Sequence, residues 1–223
     1  MNTLTTPPLA TLLSQLFTDA DTTKATLMAK FSSAELKAIK EQGDGNYREI
    51  YAKMKDFHLA ISQETGALLY MLARACSARS VVEFGTSFGV STLHLAAAIR
   101  DNGGGKLIGS EFEPSKVAQA RENIKAAGLS DLVEIRDGDA LETLARDLPE
   151  TIDLVLLDGA KALYLPVLSL LERRLRTGAL IIADNADWNP DYLAKVRSST
   201  GGYLSVPFAG DVELSMKLAR IST

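Results

Sequence analysis

The chain has little with which to bind a soft metal or close a disulfide: its 223 residues include one cysteine and two histidines. A single cysteine cannot form an internal disulfide, and the neighbours Leu72, Ala73 and Ala75 mark Cys76 as a buried small apolar residue without chemistry. His58 and His94 fall in helical stretches and read as packing or surface residues. Positive charge is also short, with 24 Lys and Arg against 28 Asp and Glu and a net charge of -4. That balance gives no long-range attraction for a phosphate backbone or an anionic bilayer, so nucleic acid and membrane are set aside as partners. No run approaches the roughly 18 apolar residues of a membrane span, and Met1 to Phe17 lacks a basic start followed by a continuous apolar stretch, so a cytoplasmic location is expected. Internal repeats and low-complexity tracts are missing as well. What remains is ordinary globular composition, 46% hydrophobic and 23% charged.

Two rhythms divide the chain. From Leu9 to Leu72 the pattern is helical, with polar breaks at Thr18-Asp19-Ala20-Asp21 and around Gly43-Asp44-Gly45-Asn46. Ser32-Ser33-Ala34-Glu35 offers a capping box, and Ile61, Leu68, Leu69 and Leu72 repeat at helical spacing. After Ser80, short apolar runs alternate with longer amphipathic segments, which is the pattern of strand-helix units on a parallel sheet. Strands are predicted at 81–84, 106–111, 133–136, 152–158 and 179–184, with helices starting near Val90, Pro114, Ala140 and Lys161. Runs at 203–208 and 213–218, parted by Ala209-Gly210-Asp211-Val212, predict a closing hairpin. The expected architecture is α/β: a Rossmann-like, mainly parallel doubly wound sheet with a C-terminal antiparallel hairpin. A single domain spans residues 1–223, with a helical cap over 1–75 and the catalytic core over 76–223.

Gly85 and Gly89 lie in a loop that leaves the first strand and enters a helix, where backbone amides collect and a ligand can approach the main chain. Alone, the pair describes only a tight turn. Glu111, at the tip of the second strand, adds an acid placed to accept both hydroxyls of a ribose. A dinucleotide fingerprint needs G-x-G-x-x-G, and the third glycine is missing. Glu83 precedes the loop by two residues, suited to the ammonium of an amino-acid tail and unsuited to a pyrophosphate. These features point to S-adenosylmethionine.

Two more strands end in acids. Ile152 to Asp158 runs into Gly159-Ala160-Lys161, and Ala179 to Asp184 into Asn185. Both tips fall on the carboxyl edge of the sheet, where ligands bind. Asp158, Asp184 and Asn185 could share one hard cation such as magnesium, three oxygen donors without His or Cys. Either acid alone would more often cap a helix. Lys161 is oddly placed for a first-turn lysine, unfavourable for the helix dipole, which leaves room for a function. Trp188 and Tyr164 lie just past these tips, placed either to wall an aromatic acceptor or simply to pack. Asn189-Pro190-Asp191-Tyr192 superficially matches a loop of amino-group methyltransferases but follows the wrong strand, and is read as a helix start.

The stretches Val82 to Ser91, Leu157 to Lys161 and Ala183-Asp184-Asn185 together resemble the cation-dependent class I O-methyltransferases, the group of catechol and caffeoyl-CoA O-methyltransferases and their bacterial relatives. The resemblance runs from about Ile61 to Leu218. It implies that Glu83, Gly85, Ser87 and Ser91 hold the methionine end of S-adenosylmethionine, that Glu111 holds its ribose, that Asp139 and Ala140 flank the adenine, and that Asp158 lies near the amine. It further implies a divalent ion on Asp158, Asp184 and Asn185, Lys161 as catalytic base, a small hydroxylated acceptor, phenolic or catecholic, and a homodimer. The chain departs from the family at Ala160, where an acid is frequent, and at Val212, where a glycine is frequent. It is also short between Asp184 and Tyr203. Two other readings stay open: metal-independent transfer to nitrogen or another acceptor, and a non-catalytic cofactor-binding module.

Overall fold

The computed structural model describes residues 2–30, 49, 52–208 and 210–219. The Ser32 to Glu35 capping box and the Gly43 to Asn46 break lie outside them. Helix α1 (Leu9–Lys30) runs straight through Thr18 to Asp21, where a break was expected. Threonine hydroxyls there donate back to the preceding turn, Thr18 to the Ser14 carbonyl at 2.9 Å and Thr22 to that of Thr18 at 2.9 Å, so the polar residues sit on the exposed face of a continuing helix. Helix α2 (Gln63–Ala75) starts at Ser62, whose hydroxyl accepts from the Thr65 amide at 3.0 Å.

Seven strands form one sheet: β1 (Ser80–Phe84), β2 (Lys106–Glu111), β3 (Val133–Asp137), β4 (Ile152–Leu157), β5 (Leu175–Ala183), β6 (Tyr203–Phe208) and β7 (Val212–Lys217). Their order is β3-β2-β1-β4-β5-β7-β6, with the first five parallel and β7 antiparallel to both β5 and β6. The expected mixed sheet and closing hairpin are both present. Strand β5 starts four residues earlier than the apolar run suggests, because Arg176, Thr177 and Gly178 hide its first half. A bulge between Ile152 and Leu154 absorbs the extra length.

Period-2 alternation sends the strand side chains into two cores. Val81, Leu154, Leu156, Leu180 and Ile182 join α1, α2, α3 (Val90–Asp101) and α4 (Pro114–Ala126) on one face. Val82, Phe84, Val155, Leu157 and Ile181 join the opposite layer, made by α5 (Ala140–Thr143), α6 (Tyr164–Leu171) and α7 (Pro190–Arg197). Leu9, Leu13 and Leu16 of α1 belong to the first core, packed with the sheet. Cys76 is half-buried, its thiol directed at the Ala73 carbonyl at 3.8 Å. No helix of the described residues is long and apolar enough to cross a membrane.

Candidate functional site

The carboxyl ends of β1, β2, β4 and β5 converge on one edge of the sheet, and the loops leaving them interlock. Gly85 has φ +98, and a Cβ on it would lie 2.5 Å from the Asp158 carbonyl and the Gly159 amide. A Cβ on Gly159 would in turn strike the Phe84 ring. The β1 and β4 loops can therefore touch only as glycines. Gly85→Ala should lower the unfolding free energy by about 2–4 kcal/mol in denaturant titration, combining backbone strain with a backbone clash. A midpoint equal to wild type would mean the loops move apart freely.

Beneath the loop lies Glu83, fully buried. It accepts from Ser91 Oγ at 2.6 Å, Thr86 Oγ1 at 3.0 Å and Thr92 Oγ1 at 2.5 Å. Burial pushes its carboxyl up to about 7 even though all three hydroxyls favour the charged form. The structure thus places Glu83 under the cavity wall, with the loop built on top of it. His94 is also buried, its Nδ1 2.8 Å from the Val90 carbonyl and its ring against Gly66, which settles it as a packing residue.

Above the loop is a solvent-connected cleft. Gly85, Ser87, Glu111, Asp139, Ala140 and Asp158 all line it. Six of the eight residues expected to hold a cofactor therefore share one wall. Glu111 stands at its centre, Oε2 accepting from the Ser87 amide at 2.7 Å and Oε1 from the Glu113 amide at 2.9 Å, so the acid is pinned with lone pairs left over. Asp139 caps α5 through the Leu141 amide at 2.9 Å. Ser91 lies in an adjoining hollow with Ser87, Phe88, His58 and Asp158. The Ser87 backbone is left-handed, φ 48, and its hydroxyl is buried without a hydrogen-bond partner among the described residues. An orphaned hydroxyl there fits a polar ligand tail.

Asp158, which lines the cleft, and Asp184 follow directly on the paired ends of β4 and β5, where Leu157 and Ala183 are in register. Both acids stand one residue beyond their strands. Burial, and then the Asp158 carboxylate beside it, push Asp184 up to about 7. Lys161 Nζ donates to Asp158 Oδ1 at 3.0 Å, with both side chains largely buried. Lys161 opens a single 3-10 turn, Lys161–Leu163, ahead of α6. That turn is tied down by Asn189, whose Nδ2 donates to the Lys161 carbonyl at 2.7 Å while its Oδ1 caps α7 at the Tyr192 amide, 2.8 Å away. The Asn189-Pro190 helix start is as expected. Asn185 takes a left-handed backbone, φ 47 and ψ 43, and its Nδ2 donates to Asp211 Oδ2 at 3.0 Å. Among the described residues no group of three or more His, Cys, Asp and Glu stands ready for a metal. The oxygen set here is two acids and an amide. Tyr164 is a packing residue: it is fully buried, and its hydroxyl donates to the Asp184 carbonyl at 2.7 Å, which fixes the β5 tip. Trp188 is half-buried in the turn that follows.

Sequence reasoning overlooked the Leu59 wall and one lysine. Leu59 lines the cleft, and the His58 ring stacks on Phe88 with centroids 3.9 Å apart. Lys116, in the first turn of α4, also lines the cleft. The argument from the helix dipole that singled out Lys161 applies equally to it and would have found it.

Residues 82–186 match a family described as a methyltransferase domain. A catechol O-methyltransferase of Niastella koreensis is 36% identical over 130 residues, covering 57% of this chain and 58% of that protein. Catechol O-methyltransferase B of Danio rerio is 33% identical over 171 residues, covering 73% of this chain and 64% of that protein. The chain thus spans about three fifths of the curated relatives it matches. An O-methyltransferase of Streptomyces achromogenes, solved in complex with S-adenosylmethionine, superposes with a TM-score of 0.65 at 23% identity over 86% of this chain and 98% of that one. Sheet order and this superposition give the chain the fold of that O-methyltransferase, and its residues 82–186 match the methyltransferase domain. The relatives named here are O-methyltransferases, and one of them was solved with S-adenosylmethionine bound.

Proposed function

We propose that the chain is an S-adenosylmethionine-dependent O-methyltransferase acting on a hydroxyl of a small phenolic or catecholic molecule, with a divalent cation at Asp158, Asp184 and Asn185. The carrying observation is the cluster at the β4 and β5 tips: two acids pressed together on paired strand ends with a lysine on one of them. Such a cluster is costly unless a cation joins it, and its oxygen donors suit magnesium. Asn185 contributes by donating through Nδ2 to Asp211, which leaves its Oδ1 to ligate.

When bound, S-adenosylmethionine supplies a methyl on a positively charged sulfur, and a divalent cation acidifies and orients a hydroxyl. The rest of the chemistry belongs to the chain. The cleft wall from Gly85 to Asp139 receives the nucleoside, with Glu111 accepting from its ribose. Ser87 and Ser91 take the amino-acid end, with Glu83 holding Ser91 in place from below. Lys161 stands at the acceptor end to take the hydroxyl proton, and Asp158 steadies the resulting ammonium. Methyl transfer joins the acceptor oxygen to carbon and releases the sulfur as a neutral thioether. Holding the two reactants in line supplies much of the rate. A cytoplasmic homodimer free of nucleic acid and membrane completes the proposal.

A labelled-methyl transfer screen over catechols and phenols, run with magnesium and then with chelator, tests this directly. The expected result is label on a catechol in magnesium only. Transfer to amines at the same rate with chelator present would replace it with the metal-independent reading.

A further inference from the structure

Lys116 is 3% exposed, yet among the described residues neither an ion pair nor a hydrogen bond holds its ammonium. Its Nζ stands 5.5 Å from the centroid of the Phe88 ring, which covers the stem without satisfying three N–H donors. The side chain lines the cleft, and the strongest attraction on its ammonium comes from Glu111, ahead of Glu113, Asp158 and Asp56. Two hollows adjoin at this point. Lys116 lines the one that holds Glu111, Asp139 and Ala140, and is not part of the one formed around Ser91 and Phe88. It therefore shares a wall with Glu111, Asp139 and Ala140, the place proposed for the nucleoside.

We propose that Lys116 is a ribose-binding residue that donates to the hydroxyl oxygens whose protons Glu111 accepts. The proposal rests on the S-adenosylmethionine reading above. The chemistry is complementary: each ribose hydroxyl both donates and accepts, Glu111 can only accept, and Lys116 can only donate. A lysine and an acid on opposite sides of a diol read both functions of each hydroxyl. They also give the cleft a stronger preference for a ribonucleoside over a deoxynucleoside than either residue supplies alone.

Calorimetric titration of the full chain with S-adenosylhomocysteine and with its 2′,3′-dideoxy analogue tests this on wild type and Lys116→Met, which keeps the length of the stem. Wild type should bind the ribose form at least about tenfold more tightly than the dideoxy form, and Lys116→Met should lose about tenfold on the ribose form only, the size of one charge-assisted hydrogen bond. A Lys116→Arg variant should recover part of the loss. A melting temperature at or above that of wild type for Lys116→Met shows that the loss is not unfolding. Equal losses on both ligands would place the ammonium away from the ribose and overturn the proposal, as would wild-type affinity in Lys116→Met. If wild type binds neither ligand, the cofactor reading itself falls and takes this one with it.

Discussion

Replacing Lys161 with methionine should lower kcat by about 10²–10⁴-fold, the usual contribution of a positioned general base, while the affinity for S-adenosylmethionine changes little. The separation follows from where Lys161 stands. It is not among the residues that line the cleft and sits in a 3-10 turn anchored by Asn189, whereas Gly85, Glu111, Asp139 and Ala140 line the cleft. Single-turnover kinetics beside calorimetry would check both halves. A variant with unchanged kcat would show that the lysine serves only to neutralise Asp158. A variant that loses cofactor binding and turnover together would show that the Lys161–Asp158 pair holds up the cleft rather than performing chemistry.

The second large effect belongs to the acids at the strand tips. Asp184→Ala combined with Asn185→Ala should cut magnesium-supported turnover by about 10²-fold or more, since a bound cation contributes several kcal/mol, and should make the remaining rate indifferent to chelator. A double variant as fast as wild type in both conditions would end the metal hypothesis. pH gives an independent reading of the same cluster. Asp184 is raised from 3.8 to about 7 in the folded chain. Between those values the folded state holds a proton that the unfolded state has released, so stability without a cation should fall as pH rises from about 4 to about 7. Magnesium competes with that proton, so its affinity should rise over the same interval and the part of the loss that belongs to Asp184 should disappear when it is saturating. Thermal melts of wild type and Asp184→Asn across this range, with and without magnesium, would show the steepest slope in wild type without the ion, the slope left in the other conditions being that of Glu83, whose carboxyl is also pushed up to about 7.

Much of the core was legible in the sequence because a parallel sheet buried on both faces writes itself as short apolar runs. The runs at 81–84, 106–111 and 152–158 became β1, β2 and β4 within a residue at either end. Where polar side chains carried part of an element the reading failed. The first half of β5 is hidden by Arg176 and Thr177, and the polar stretch inside α1 was mistaken for a break because its threonines satisfy themselves on their own helix. The residues expected at the strand tips do lie on one edge, because topology alone brings them there. Lys116 and the Leu59 wall were not legible, because a lysine turned inward and a loop folded over a cleft are decided by packing between elements distant in sequence. Glu83 shows a third kind of gap. Its place beside the glycine loop was readable, but the ring of Ser91, Thr86 and Thr92 hydroxyls that closes over it appears only in three dimensions.

The turn between β6 and β7 reaches the β5 tip twice. Asp211 receives the Asn185 side-chain amide at 3.0 Å, and its carbonyl receives the Ala186 backbone amide at 2.8 Å. The C-terminal hairpin is thus not a passive edge that can be trimmed or exchanged at will. In any chimera assembled from related chains, the segment around residue 211 has to travel with Asp184 and Asn185 as one inherited block. A donor hairpin of different turn length would leave every proposed metal-binding residue in the sequence and still turn the Asn185 amide away from the place where it is needed.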